Sequence, residues 1–198
     1  YNLYGSTEVG QATIATPADL RAAPGTAGRV VPGISVEIVD SNGDAVAAGE
    51  QGRIMVGGRG QFSGYTGGGT KEILRGLMAT GDVGYFDRDQ RLFVTGRADD
   101  MIVSGAENVY PQEVEDLLLT IDGVDDCAVA GVPDEEFGQR LKAWIVAAPN
   151  ARLDPEEIRS LVARDLARHK VPRDIAFVDT LPRTNTGKLR RGALTDRS

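Results

Sequence analysis

Little in this sequence serves covalent cross-linking or metal chemistry. Cys127 is the single cysteine, so no disulfide can close within the chain, and a reducing compartment such as the cytoplasm is expected. It lies in the apolar run 124–132 and reads as a core residue rather than a nucleophile. His169 is the single histidine, too few for a zinc site or a Ser–His–Asp triad. No apolar stretch approaches the ~20 residues with which a helix crosses a bilayer, and peripheral membrane contact stays open. No signal-peptide pattern opens the chain, and Tyr1-Asn2-Leu3-Tyr4-Gly5 reads as part of something longer. Long basic runs are also missing. With a formal net charge of -7, nucleic acid and anionic membranes are poor candidates for the main partner.

What is present is enough for a packed core. The chain has 198 residues, of which 41% are hydrophobic, room for one large or two small domains. Residues 1–96 are rich in glycine and read as short strands with turns between them, the pattern of a small β-barrel or sandwich. Residues 35–39 alternate polar and apolar, and the Asn42-Gly43 pair after them signals a hairpin turn. Residues 53–56 read as a further strand. Residues 83–86 and 91–95 read as a hairpin. The glycines of residues 64–69 carry a high ordering cost and suggest a mobile loop. After Gly96 the pattern becomes mixed: strands at 101–103, 124–132, 141–147 and 175–178, and helices opening at Pro111 and after Asp154. The fold class expected is α+β, with a boundary near 97–100.

Four segments carry chemistry-bearing side chains. Tyr4-Gly5-Ser6-Thr7-Glu8 reads as a short loop that offers hydroxyls to a phosphate and a carboxylate to Mg²⁺, though alone it reads first as an ordinary polar turn. Thr80-Gly81-Asp82 places an aspartate on what reads as a tight turn, able to accept from a ribose diol. Tripeptides like it also arise by chance. Residues 96–115 set charged side chains between glycine-bearing turns at the change of composition, as a hinge or a solvated linker would. Residues 181–191 put Lys188 beside Gly187, able to reach a site and neutralise negative charge, or simply to sit in water. Pro182 stands where a P-loop needs glycine.

In order and spacing the four segments resemble the adenylate-forming superfamily of acyl-CoA synthetases, nonribosomal-peptide adenylation domains and luciferases. The resemblance covers nearly the whole chain. It implies that residues 1–96 are the β-rich, barrel-like end of a large AMP-binding domain, 97–100 a hinge, and 101–198 a small mobile α+β domain. It further implies ATP, Mg²⁺, coenzyme A and a carboxylic acid, by first choice a fatty acid, as ligands. Tyr4 and Gly5 would lie by the nucleotide, with Tyr4 near adenine. Thr7 would contact the AMP phosphate, Glu8 would hold Mg²⁺, and Asp82 and Arg97 would grip the ribose. Asp99 would be the hinge and Lys188 the lysine bridging the reacting carboxylate and the α-phosphate. Ser104, Gly105, Ala106 and Phe137 would border the CoA path.

The chain departs from the family pattern in three places. The Ser/Thr/Gly phosphate loop that precedes these motifs in the family is not in the chain. Residues 64–79 carry Gly67-Gly68-Gly69 in place of the commoner stretch. Ala106 stands where many relatives have glycine. The rival expectations are an enzyme that loads a carrier-protein thiol and a non-catalytic nucleotide-binding module. The 198 residues alone are expected to be inactive in adenylation.

Overall fold

A computed structural model describes residues 1–59 and 61–195. The chain divides into two compact units, Tyr1–Asp99 and Asp100–Ser198. Both mix sheet with short helices, so the α+β class expected from the sequence is the one found.

In the first unit β1 (Asn2–Ser6) turns into β2 (Gly10–Ala15), which pairs antiparallel with β1. A short helix α1 (Pro17–Ala22) follows, opened by a capping box in which the Thr16 side chain accepts from the Asp19 backbone and the Asp19 carboxylate accepts from the Thr16 backbone. The sequence reading passed over this six-residue helix because it is too short to show a periodic apolar face. Next, β3 (Arg29–Val30) completes a three-stranded sheet. Gly28 is required just before it. Its φ is +94°, and a Cβ there would lie 2.0 Å from the Ile14 backbone.

Five further strands form the second sheet of this unit: β4 (Ile34–Val39), β5 (Gly52–Gly58), β6 (Ile73–Leu74), β7 (Leu77–Phe86) and β8 (Leu92–Arg97). The order is β4-β5-β7-β6, with β8 on the other half of β7. Of the barrel or sandwich expected, a closed barrel is not what forms: among the described residues neither sheet closes. The turn after β4 is built by the Asp40 carboxylate, which accepts from the Asn42 and Asp44 amides. Ile38, Ile54, Val56, Met78 and Leu92 form the core of this unit.

The second unit begins with a hairpin, β9 (Ile102–Ser104) and β10 (Glu107–Val109), turning through Gly105 at φ +66°. Helix α2 (Pro111–Leu118) starts on proline, as expected. Strands β11 (Val124–Asp134) and β12 (Gly138–Ala147) make a long hairpin. Helix α3 (Pro155–Asp165) is capped by Asp154, whose carboxylate accepts from the Glu156 and Glu157 amides. Then β13 (Asp174–Phe177) joins β12 in parallel, and α4 (Gly192–Thr195) closes the described chain. Alternation along β11 and β12 gives the sheet two buried faces. Val129, Leu141 and Ile145 pack with Val114, Leu118, Ile158 and Val162. Ala128, Ala130 and Trp144 pack with Leu181 and Leu194. Cys127 lies in the first of these layers, and burial pushes its thiol up to about 12.

Ile145 is fully buried, whereas Phe177 at the end of β13 is exposed. Ile145→Ala should therefore cost about 3 kcal/mol by leaving a cavity, and Phe177→Ala less than about 0.5 kcal/mol. Urea unfolding checks the pair. Similar losses for both would show that this layer is not the stabilising core of the unit.

Candidate active site

The first-unit cluster is built around an irregularity in a strand. Arg53 pairs with Val83 and Met55 with Ala79, so residues 80–82 of β7 are a bulge against β5. The tight turn expected at Thr80-Gly81-Asp82 is thus an interruption inside a strand of 10 residues. Thr80 is buried and holds the bulge from within. Its hydroxyl donates to the Ile54 carbonyl at 3.0 Å and accepts from the Asp82 amide at 3.1 Å. Gly81 is favoured by its backbone, and the tip of Arg97 fills the space beside it. The Gly81 φ is +85°, and a Cβ would meet the Arg97 guanidinium at 2.9 Å. On the other edge of β7, register sets Asp82 opposite Arg97 on β8.

Three expected residues meet here. The Tyr4 hydroxyl donates to Asp82 Oδ2 at 2.7 Å, and Arg97 Nη1 donates to Asp82 Oδ1 at 3.0 Å. Both carboxylate oxygens thus face a donor. Burial, and then the Asp82 carboxylate, push the Tyr4 phenol above its ordinary range. Arg97 also reaches Asp99 at 3.4 Å from a 3₁₀ turn, Ala98–Asp100, in which the Asp99 side chain is 83% exposed. Tyr4 is on β1, so the segment read as a loop is a strand through Ser6, with only Thr7 and Glu8 in the turn beyond it. The extended reading was masked by the two small residues Gly5 and Ser6. Gly5 has a packing reason of its own: a Cβ would lie 2.1 Å from the Gly10 carbonyl of β2.

At the turn, the Thr7 hydroxyl donates to Glu8 Oε2 at 3.1 Å, the Tyr65 hydroxyl donates to Oε1 at 2.8 Å, and Lys71 Nζ lies 3.3 Å from Oε1. Tyr65 and Lys71 were missed by sequence reading. They belong to the stretch 64–79 that departs from the family pattern, and Tyr65, next to Gly64, was the available signal. That stretch makes a hydrogen-bonded turn, with the Tyr65 amide donating to the Gly69 carbonyl at 3.2 Å. The Ser6 hydroxyl first, and Tyr65 second, hold the Glu8 carboxyl at about 2. Among the described residues no group of three or more His, Cys, Asp or Glu gathers to hold a metal. One ionised carboxylate still suits Mg²⁺, which keeps several waters and takes most other ligands from substrate phosphates.

In the second unit, Ser104, Gly105, Ala106 and Phe137 line one cleft of about 900 Å³. The Gly105 amide donates to the Phe137 carbonyl at 2.8 Å, and a Cβ on Gly105 would lie 3.3 Å from the Phe137 ring. Ala106 sits at the exposed turn without a positive φ, so the backbone does not demand glycine there. Arg159, Arg168 and Arg173 also line the cleft, and Arg173 lies over the Phe137 ring at 4.2 Å. These arginines come from separate elements, so no run in the sequence revealed them. Lys188 is exposed on a turn in which the Gly187 amide donates to the Thr184 carbonyl at 2.9 Å. Its neighbour Arg191 is instead bound to Glu115, which is buried.

Residues 1–66 match the AMP-binding enzyme family and residues 113–188 the AMP-binding enzyme C-terminal domain. The chain is 41% identical over 165 residues to feruloyl-CoA synthase of an Amycolatopsis species, covering 82% of this chain and 34% of that protein. It is 33% identical over 202 residues to the fatty acid–[acyl-carrier-protein] ligase ScoC of Streptomyces coeruleorubidus, covering 98% and 39%. The solved o-succinylbenzoate CoA synthetase (MenE) of Bacillus subtilis, in complex with its acyl-adenylate intermediate, superposes with a TM-score of 0.92 at 31% identity, covering 98% of this chain and 40% of that one. The chain thus spans well under half the length of the curated relatives it matches.

The depressed Glu8 carboxyl has a direct check. Its contribution to stability should be complete above the ordinary value of 4.5 and be lost as pH falls towards about 2. Carboxyl ¹³C NMR should place its midpoint at about 2, and Ser6→Ala should raise it. A midpoint at the ordinary value, unmoved by Ser6→Ala, would contradict the geometry.

Proposed function

The chain belongs to the adenylate-forming, AMP-binding enzymes, and on that premise we propose that its parent is an AMP-forming carboxylic acid–CoA ligase. The observation that carries this is the Asp82 carboxylate, faced by Tyr4 and Arg97 on a bulge, in a chain that matches the family in both units.

In the reaction a substrate carboxylate attacks the α-phosphorus of ATP and pyrophosphate leaves. The thiol of coenzyme A then attacks the acyl carbon and AMP leaves. Asp82 is suited to accept from both ribose hydroxyls, with Arg97 and Tyr4 fixing its orientation. Tyr4 and Gly5 form the strand along which adenine would lie. Thr7 would donate to the AMP phosphate, and Glu8, ionised at neutral pH, would hold Mg²⁺. The metal, when bound, neutralises phosphate charge. Lys188 would carry the positive charge that the α-phosphate and the reacting carboxylate require as charge builds. The cleft of Ser104, Gly105, Ala106 and Phe137 is proposed for the pantetheine end of CoA. Asp99, exposed at the junction of the units, is proposed as the pivot of a small domain that serves the two half-reactions in turn.

The finer reading takes a fatty acid as the acyl substrate. Its support is the fatty acid in the name of ScoC, and feruloyl-CoA synthase marks the aromatic alternative. ScoC also supports a second reading, in which a carrier-protein thiol replaces CoA. Thioester formation by the parent with fatty and aryl acids, on CoA and on carrier protein, separates these. The cytoplasm is the proposed compartment, on the single cysteine. Cell fractionation tests it.

The experiment is a pair of single-turnover rates in the full-length parent. Lys188→Ala should slow adenylation by about 100-fold or more and spare thioester formation from supplied acyl adenylate. Asp99→Pro, which fixes φ near -65°, should leave adenylation near normal and collapse thioester formation. Equal loss of both steps in Lys188→Ala would make that lysine structural. Wild-type rates for both steps in Asp99→Pro would remove the pivot.

A further inference from the structure

Among the described residues the Lys188 ammonium has no hydrogen-bond or ion-pair partner, yet its backbone is held closely. The Lys188 amide donates to the Thr184 hydroxyl at 3.1 Å, and its carbonyl accepts from the Thr184 amide at 2.8 Å. An antiparallel bridge between Arg183 and Leu189 closes the loop, and Gly187 turns it at φ +82°. Such a turn fixes its own shape but not its attitude on the rest of the unit.

Leu181 and Leu189 pack the base of the turn on Ala128, Ala130 and Trp144, and two arginines tie its flanks. On the far side, Arg191 donates to Glu115 at 2.5 and 2.9 Å and to the Val129 carbonyl at 2.7 Å, and its Nε lies 3.1 Å from Asp100. This is the buried footing. On the near side, Arg183 Nη2 reaches both oxygens of Asp126 on β11, at 2.8 and 2.7 Å. Its Nη1 donates to the Gly187 carbonyl at 3.0 Å, one residue before the lysine. A single planar guanidinium thus spans from the sheet to the peptide that carries Lys188. A lysine at position 183 is a point charge and lacks this fork.

We propose that Arg183, anchored by Asp126, is a positioning residue for Lys188 in adenylation. The inference rests on the adenylating role proposed above for that lysine. A flexible ammonium stem aids a developing charge only if its base is already placed, since an error of about 1 Å in placement costs up to about 100-fold in rate. The Arg183–Asp126 pair is partly exposed, at 40% and 35% of the side chains. A pair of that exposure adds little stability, so its loss is expected to move the rate rather than the melting temperature.

The test is made in the full-length parent with separated half-reactions. Arg183→Ala and Asp126→Ala should each slow adenylation about tenfold or more. KM for ATP and for the acid should stay within about twofold and thioester formation should be unchanged, as a lost transition-state contact requires. Arg183→Lys should not restore the rate. In a Lys188→Ala background, Arg183→Ala should have no further effect, because the group it places is gone. Adenylation unaffected by Arg183→Ala and Asp126→Ala, while Lys188→Ala is slow, overturns the proposal. So does a further, additive loss in the Lys188→Ala background, or an equal loss in both half-reactions. If Lys188→Ala itself leaves adenylation intact, the adenylating role fails first and the positioning role fails with it.

Discussion

A buried polar group left without a partner costs about 1–3 kcal/mol, and each unit of this chain has such a group where its candidate site begins. In the first it is the Thr80 hydroxyl. Satisfying it draws the Ile54 carbonyl and the Asp82 amide together, and a bulge follows because β7 must carry extra residues to make both contacts. In the second it is the Glu115 carboxylate, which accepts from the Val129 amide at 2.6 Å and pairs with Arg191. That pairing draws the chain near residue 191 onto α2 and the long hairpin. Removing one partner of a buried pair costs far more than the pair itself contributes. The positions of Asp82 and of the Lys188 turn therefore follow from the need to satisfy the core.

Net charge and local charge give different answers in this molecule. At -7 overall the chain discourages polyanions. The second-unit cleft nevertheless gathers Arg159, Arg168 and Arg173, with Glu107 also in its lining and Arg159 paired to Glu156. The first-unit cluster runs the other way, with carboxylates Asp82 and Glu8 each facing hydroxyl and cationic donors. A carboxylate already surrounded by donors is oriented before a ligand arrives, which reduces the cost of ordering on binding.

Much of the strand pattern was legible, because alternation at residues 35–39 and the apolar runs at 124–132 and 141–147 are direct consequences of sheet burial. The helix at Pro111 and the Asp154 cap were legible for the same kind of reason, since each is a local solution to unpaired helix-end amides. Residues 80–82 were not. A bulge depends on the partner strand, and Thr-Gly-Asp reads as a turn when Ile54 is not in view. Arg191 stands among basic residues in the sequence, and nothing local points to its partner Glu115, 76 residues away. Tyr65 and Lys71 beside Glu8 were hidden likewise, because only the folded loop sets them against it. Spacing in the sequence carries local geometry well and long-range pairing poorly.

The central claim is that the Asp82 bulge holds the ribose of an adenylate. A crystal structure of the full-length parent with a non-hydrolysable acyl-adenylate mimic tests it most directly. The account predicts both ribose hydroxyls on the Asp82 carboxylate, with Arg97 still in contact. An adenosine bound elsewhere, with the Tyr4–Asp82–Arg97 cluster intact and empty of ligand, would contradict it.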